Sequence, residues 1–310
     1  LYEFSVGHLE VIPVLYHYPM SPYSEKLRLA MGLRGMAWSS IQVSAQPPRG
    51  ALDQLLGGYR RIPVLQWGAH FYCDTRLAFD SLYDDDLSVT QLDSDDEAVR
   101  DWAEREIFFA VFSVVSPTRV IRYLFRQLGL MGGGRFVRDR TRMMRDATLE
   151  TLGPEHARKA VQEFVTHLAT RLSCSPYLSG AAPGYIDLCC YHPLWMVCQL
   201  DRRVGSNWPL SVSAWMGRMD LLGHGEALPA TWEVVLHDIA ENQSVVTGLV
   251  AKPYQVGECV GVAPSDYARN ETIGELAIVD EDRIVISRTL DSGHVIYLHF
   301  PRKGFELRRV

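Results

Sequence analysis

Hydrophobic and polar positions along the chain fall into three textures. Over 11–83, short apolar runs alternate with helical spacing. Residues 11–16 are rich in β-formers. After the loop Tyr18-Pro19-Met20-Ser21-Pro22, the positions Leu27, Ala30 and Met31 lay an apolar stripe on a helix over 23–33. Ser21 stands where a helix cap belongs, Pro22 at the first helical position and Gly35 where the helix should stop. Runs at 38–43, 61–67 and 71–73 read as further strands. A short helical segment follows the Pro/Gly-bearing stretch 46–50, and Leu77, Ala78 and Leu82 recur at helical intervals over 76–83. The order βαβαββα follows, an α/β unit over residues 1–83.

Residues 84–97 hold seven acidic side chains and only scattered apolar ones, so 84–98 is expected to be a linker. Beyond it the spacing becomes that of long helices. Val99, Trp102, Ala103, Ile107, Ala110, Val111 and Val114 form a wide stripe that Pro117 interrupts. The stretch 131–134 reads as a breaker, helical spacing resumes over 138–152 and 155–172, and a helix over 186–200 should be kinked or shortened by Pro193. This predicts an all-α domain over 99–228. From about Trp232 the texture changes again, and runs at 283–288, 294–300 and 305–310 are separated by the turns Asp291-Ser292-Gly293 and Arg302-Lys303-Gly304. An additional small antiparallel β domain is expected over 229–310, a compact barrel or a meander packed on the rest.

Composition narrows the function classes. A chain of 310 residues suits two or three compact units, and 47% hydrophobic with 22% charged residues is a globular balance. The longest apolar stretch, 107–115, is about half the roughly 18 to 20 residues a bilayer span needs, so no membrane contact is expected. The net charge of −6 argues against a nucleic-acid surface, and the Arg-rich stretch 135–145 reads as a solvated helix face. Six irregularly spaced cysteines read as reduced thiols; with no secretory signal visible in the sequence given, a cytoplasmic location is expected. The ten histidines lack His-Glu-x-x-His or similar spacing, so no metal site is expected. Nor does a Gly-x-Gly-x-x-Gly, P-loop or Gly-x-Ser-x-Gly motif appear.

The loop and helix Ser21-Pro22-Tyr23-Ser24-Glu25-Lys26-Leu27-Arg28 resemble the omega-class pattern Cys-Pro-Phe-Ala-Glu-Arg-x-Arg of glutathione transferases, with serine in place of cysteine. Theta- and zeta-like transferases also use a serine there. Ile62-Pro63 lies where that family keeps a cis-proline, and Asp74-Thr75, twelve residues on, resemble its Glu/Gln-Ser pair at the start of the third helix. Ser175 to Gly180 with Tyr185-Ile186-Asp187 resembles its Tyr-Leu-x-Gly turn and core-helix capping box, although Gly184 stands where the family has Ser or Thr. The resemblance covers roughly 11–225; the tail is vaguely similar to an appendage of some fungal transferase-like proteins.

The resemblance implies a thioredoxin-like glutathione-binding domain, a helical substrate domain and glutathione as the cofactor. Ser21 would be the catalytic hydroxyl, with Tyr16 and Tyr18 as rival donors. Only the thiolate is a good nucleophile, and a hydroxyl donor at a helix N-terminus favours that anion. Ile62 and Pro63 would hold the cysteinyl part, Thr75 the γ-glutamyl carboxylate, and Asp74 its ammonium group. Arg49 would meet the glycine carboxylate, with Gln46, Arg60 and Arg61 as competitors. Taken alone, Ser21 and Asp74 are ordinary helix caps. The expected activity is addition of the glutathione thiolate to an electrophilic, largely apolar small molecule. The alternatives are a glutathione-dependent cis–trans isomerase and a non-catalytic glutathione- or ligand-binding protein. A homodimer is compatible with the resemblance, while thiol transfer through a mixed disulfide lacks its cysteine.

Overall fold

The computed structural model describes residues 12–83, 90–145, 147–148, 152–246 and 248–310. The first unit follows the predicted order. Its elements are β1 (Val14–His17), α1 (Pro22–Arg34), β2 (Ala37–Gln42), α2 (Ala51–Leu56), β3 (Val64–Trp67), β4 (His70–Tyr72) and α3 (Thr75–Leu82). Strand alternation divides the side chains between two cores. Leu15 and Leu65 face α1, α3 and the later helices, while Val14, Tyr16 and Val64 face the opposite side with α2. Helix α1 is capped as its sequence predicts. The Ser24 amide donates to Ser21 Oγ at 3.1 Å, and Gly35, at φ 62°, accommodates the left-handed turn that ends the helix.

Helices follow from Ser94. They are α4 (Ser94–Asp101), a π-turn (Trp102–Ile107), α5 (Phe108–Val114), α6 (Pro117–Met143), α7 (Pro154–Arg171), α8 (Tyr185–Leu200), the short α9 (Arg202–Gly205) and α10 (Leu210–Asp220). Part of the expected linker, 84–89, lies outside the described residues; its acidic end is helical instead. Asp93 caps α4, and Asp95, Asp96 and Glu97 occupy the first turn, where negative charge suits the helix dipole. Two breaker expectations shift. The chain departs from helical geometry at Gly129 and not over 131–134, and α6 ends at Met143 and not at 152. Helix α8 runs unbroken through Pro193, with the His192 ring turned back onto the Leu188 and Cys189 carbonyls near the amide that proline lacks. No single described helix is long and apolar enough to cross a membrane.

The expected helical half holds among the described elements from Ser94 to Asp220, but the strands after it do not form a separate β domain. After α10 the chain returns to the sheet as β5 (Glu226–Pro229), which pairs in parallel with β2. Helix α11 (Trp232–Glu241) then leads to β6 (Cys259–Pro264), β7 (Thr272–Val279), β8 (Arg283–Thr289), β9 (Val295–Pro301) and β10 (Phe305–Arg309). These strands pair antiparallel among themselves, as predicted, but β9 also pairs in parallel with β4. One ten-stranded sheet results, in the order β10-β6-β7-β8-β9-β4-β3-β1-β2-β5. Unpaired amides and carbonyls on β4 explain the junction, because an open edge is satisfied by another strand. The second core is accordingly shared, joining Tyr16, Val64 and Phe71 to Leu276, Ile284, Ile296, Leu298 and Phe300.

Candidate functional site

Two adjoining cavities open between the N-terminal unit, the helices and the C-terminal strands. The first, about 210 Å³, is the more polar of the two, with charged side chains set among apolar ones; Ile62, Pro63, Asp74, Thr75, Arg76, Glu104 and Tyr185 contribute. The second, about 350 Å³, is mostly apolar, with Met20, Ser21, Phe108, Phe112, Leu124, Phe136 and Met196 among its walls. Tyr23, Arg61, Ile62, Phe109 and Tyr267 border both. Of the sequence-predicted residues, Ser21 therefore lies in the apolar cavity, Asp74, Thr75 and Pro63 in the polar one, and Ile62 at their junction. The Ile62–Pro63 bond is cis, as the resemblance implied.

Arg49 is the exception, since it borders neither cavity. Its side chain is buried, with Nη2 donating to the Arg60 carbonyl at 2.5 Å while its own amide donates to Asp53. Burial first of all, against the pull of Asp53, lowers its pKa. The cations that do reach the cavities include its competitors Arg60 and Arg61. Arg60 pairs with Asp139, and Arg61 pairs with Asp266 and donates to the Tyr267 carbonyl at 2.7 Å. Of the rival tyrosines, Tyr16 points into the second core and donates to Gln66 Oε1. Tyr18 borders the apolar cavity and accepts a bond from Arg140 at 3.2 Å.

Both hydroxyls in the groove are supported from behind. Ser21 Oγ accepts from the Ser24 amide, and Thr75 Oγ1 lies 3.4 Å from Lys26 Nζ. A hydroxyl has one proton and two lone pairs, so each remains able to donate into the cavity. Lys26 belongs to a network that sequence reasoning missed. It is fully buried and donates to Glu104 Oε1 at 2.5 Å and to Tyr185 Oη at 2.8 Å. Burial works against its charge, yet Cys189 and Glu104 raise its pKa overall. Cys189, pushed up to about 12 chiefly by burial, is neutral at neutral pH, which leaves Glu104 as the counter-ion. The π-turn carries Glu104, its widened backbone projecting the carboxylate toward α1.

Asp74 caps α3 by accepting from the Arg76 amide at 2.7 Å. Burial raises its pKa despite that bond, so a further positive charge beside it would favour its carboxylate form. An incoming ammonium group would supply it. The N-terminus of α3 and the Thr75 hydroxyl, in turn, offer donors to a carboxylate. The site thus fits a ligand with a zwitterionic end and an apolar-facing centre. Asp187, which follows Gly184 where the family has Ser or Thr, collects five donors. They are the amides of Leu178, Ser179 and Gly184, the Ser179 hydroxyl and Trp215 Nε1, all within 2.7 to 3.1 Å. It holds the 178–184 turn onto α8, away from the cavities. Among the described residues, no group of three or more His, Cys, Asp or Glu side chains could hold a metal.

Comparison with known proteins bears on the fold that carries this site. Residues 15–86 match the glutathione S-transferase N-terminal domain family. A GST-like protein from Pseudomonas syringae superposes with a TM-score of 0.75 at 25% identity, covering 97% of this chain and 100% of that one. Its span includes the C-terminal strands. A glutathione transferase from Phanerochaete chrysosporium shares the fold over 68% of this chain and 97% of its own, with a TM-score of 0.55 at 16% identity. No curated protein matches. Residues 15–86 are thus similar to the N-terminal domain of glutathione S-transferases, and the chain as a whole resembles a GST-like protein, with a C-terminal β-rich region following the helices.

Proposed function

We propose that the chain binds glutathione across both cavities and adds its thiolate to an electrophilic, largely apolar small molecule held in the larger one. The observation that carries this reading is the placement of Ser21. Its hydroxyl, at the N-terminus of the 13-residue α1, borders the apolar cavity, and the Asp74–Thr75 pair borders the polar one next to it. Thr75 and the first amides of α3 would hold the γ-glutamyl carboxylate and Asp74 the ammonium, while Ile62 faces the middle of the peptide. A free thiol is mostly protonated at neutral pH, with a pKa of about 8.5. The Ser21 proton and the positive end of α1 favour the anion without Ser21 itself ionising. Phe108, Phe112, Phe136 and Met196 would exclude water from the acceptor. Arg49 has no part in this reading; Arg60 and Arg61 are the cations for the glycine end.

Turnover with glutathione and a panel of aromatic electrophiles tests it. Wild type should form a thioether, and Ser21→Ala should lower kcat about 100-fold, the scale of removing one hydrogen bond aimed at a reacting anion. Undiminished turnover in Ser21→Ala would remove Ser21 from the role. A geometric isomer of a conjugated substrate with glutathione recovered would mark the isomerase instead, and glutathione binding with neither product the non-catalytic protein.

A further inference from the structure

The C-terminal strands do more than cover the β4 edge. Their Ser265–Asp266–Tyr267–Ala268 segment reaches into the groove, and Tyr267 stands at the neck where the two cavities meet. Its ring lies under the Arg61 guanidinium, 4.1 Å from ring centroid to Cζ, and meets Phe109 edge-on at 5.7 Å. Three different parts of the molecule hold this segment. Ser265 N donates to the Gly304 carbonyl at 2.9 Å, Thr148 N donates to the Asp266 carbonyl at 2.9 Å, and Arg61 grips both Asp266 and the Tyr267 carbonyl. The Tyr267 hydroxyl has no partner among the described residues. Lys303 and Phe305 of the neighbouring hairpin extend the same wall along the polar cavity.

We propose that Tyr267 is a ligand-contacting, specificity-determining residue, through which the C-terminal β-rich region completes the binding site. The proposal rests on the glutathione reading above. A peptide with its γ-glutamyl end at Thr75 and its sulfur at Ser21 must pass the neck, between Ile62 on the sheet side and the Tyr267 ring. The backbone bonds of the segment make that ring a fixed wall. A ligand therefore has to be slender at its centre and is free to be bulky only beyond the sulfur.

Two measurements test this. In calorimetric titrations, Tyr267→Ala should weaken glutathione and S-hexylglutathione binding by about tenfold, the loss of one well-packed aromatic contact. Tyr267→Phe, which keeps the ring, should stay within about twofold of wild type. Because the alanine variant also unseats the Arg61 contact, a second variant reads contact directly. In Tyr267→Cys, maleimide labelling at position 267 is followed by mass spectrometry with S-methylglutathione, which has no free thiol, at ten times its measured Kd. About nine-tenths of the sites are then occupied, so labelling at 267 should slow about tenfold. The exposed Cys174 and Cys259 should be unaffected and serve as internal references. Full-rate labelling at 267 in protein that binds the ligand, or wild-type affinity in Tyr267→Ala, overturns the proposal. Wild-type protein that takes up neither glutathione nor its S-alkyl derivatives overturns the parent reading instead.

Discussion

Ser21 and Thr75 share one device: each oxygen accepts from a buried neighbour, the Ser24 amide or the Lys26 ammonium, and keeps its proton for the cavity. Ser21→Ala should leave glutathione affinity within a few-fold while raising the bound thiol's pKa, read from thiolate absorbance against pH. It should also cost about 1 kcal/mol of stability as a lost cap. Lys26→Met strands the Glu104 carboxylate, which is 22% exposed, so the loss belongs near the lower end of the buried-pair range, about 3 kcal/mol by denaturant titration. A loss below 1 kcal/mol would show that the pair is not structural. Ser21, Ile62-Pro63 and Asp74-Thr75 were legible because caps and turns are written in adjacent residues. Arg49 misled because which of several cations reaches the groove depends on how 46–61 packs, and spacing does not encode that. Lys26 stood in plain view within the recognised motif, but its partners Glu104 and Tyr185 lie 78 and 159 residues away.

At the scale of elements, the seam between β4 and β9 is the informative junction. His70 Nδ1 and His299 Nε2 meet there at 2.9 Å, with His299 buried and stacked on Tyr72. Burial, then the neighbouring His70, holds His299 well below its ordinary pKa, and burial followed by Arg28 lowers His17 to about 4. Groups kept neutral in the fold but with a pKa of about 6.5 when unfolded stabilise it fully above that value. They take up protons on unfolding as pH falls from about 6.5 toward 4, so stability declines there. Asp74, raised by burial, acts in the opposite sense. Thermal midpoints should be level above pH 7 and drop clearly by pH 5; a level profile would contradict the buried neutral histidines. Gly58 marks a second junction. Its φ is 144°, and a β-carbon there would lie 2.2 Å from the Glu271 carbonyl on the approach to β7. Gly58→Ala should destabilise by about 2 kcal/mol or more in urea titrations. Element types were readable from period, but the fate of Pro193 and of the 131–134 glycines was set by packing that overrides local propensity.

Across the whole molecule, the sheet makes the third segment inseparable from the first. Residues from β1, β3 and β4 share a core with those from β6 to β10, so heating should give one cooperative transition with equal calorimetric and van't Hoff enthalpies. A separate melt of the C-terminal strands would contradict the shared core. The sequence marks these strands clearly, yet nothing local tells that β9 joins β4, because strand pairing across more than 200 residues leaves no periodic trace. For the same reason Asp266, Tyr267 and Lys303 were not among the expected site residues. The central claim is that one polar and one apolar cavity together hold glutathione. Calorimetric titration of glutathione into wild type and Thr75→Ala tests it most directly. Saturable binding of one molecule per chain, weakened about tenfold in the variant with its fold intact, is the predicted result. No heat of binding to folded wild type, or equal affinity in both proteins, would contradict it.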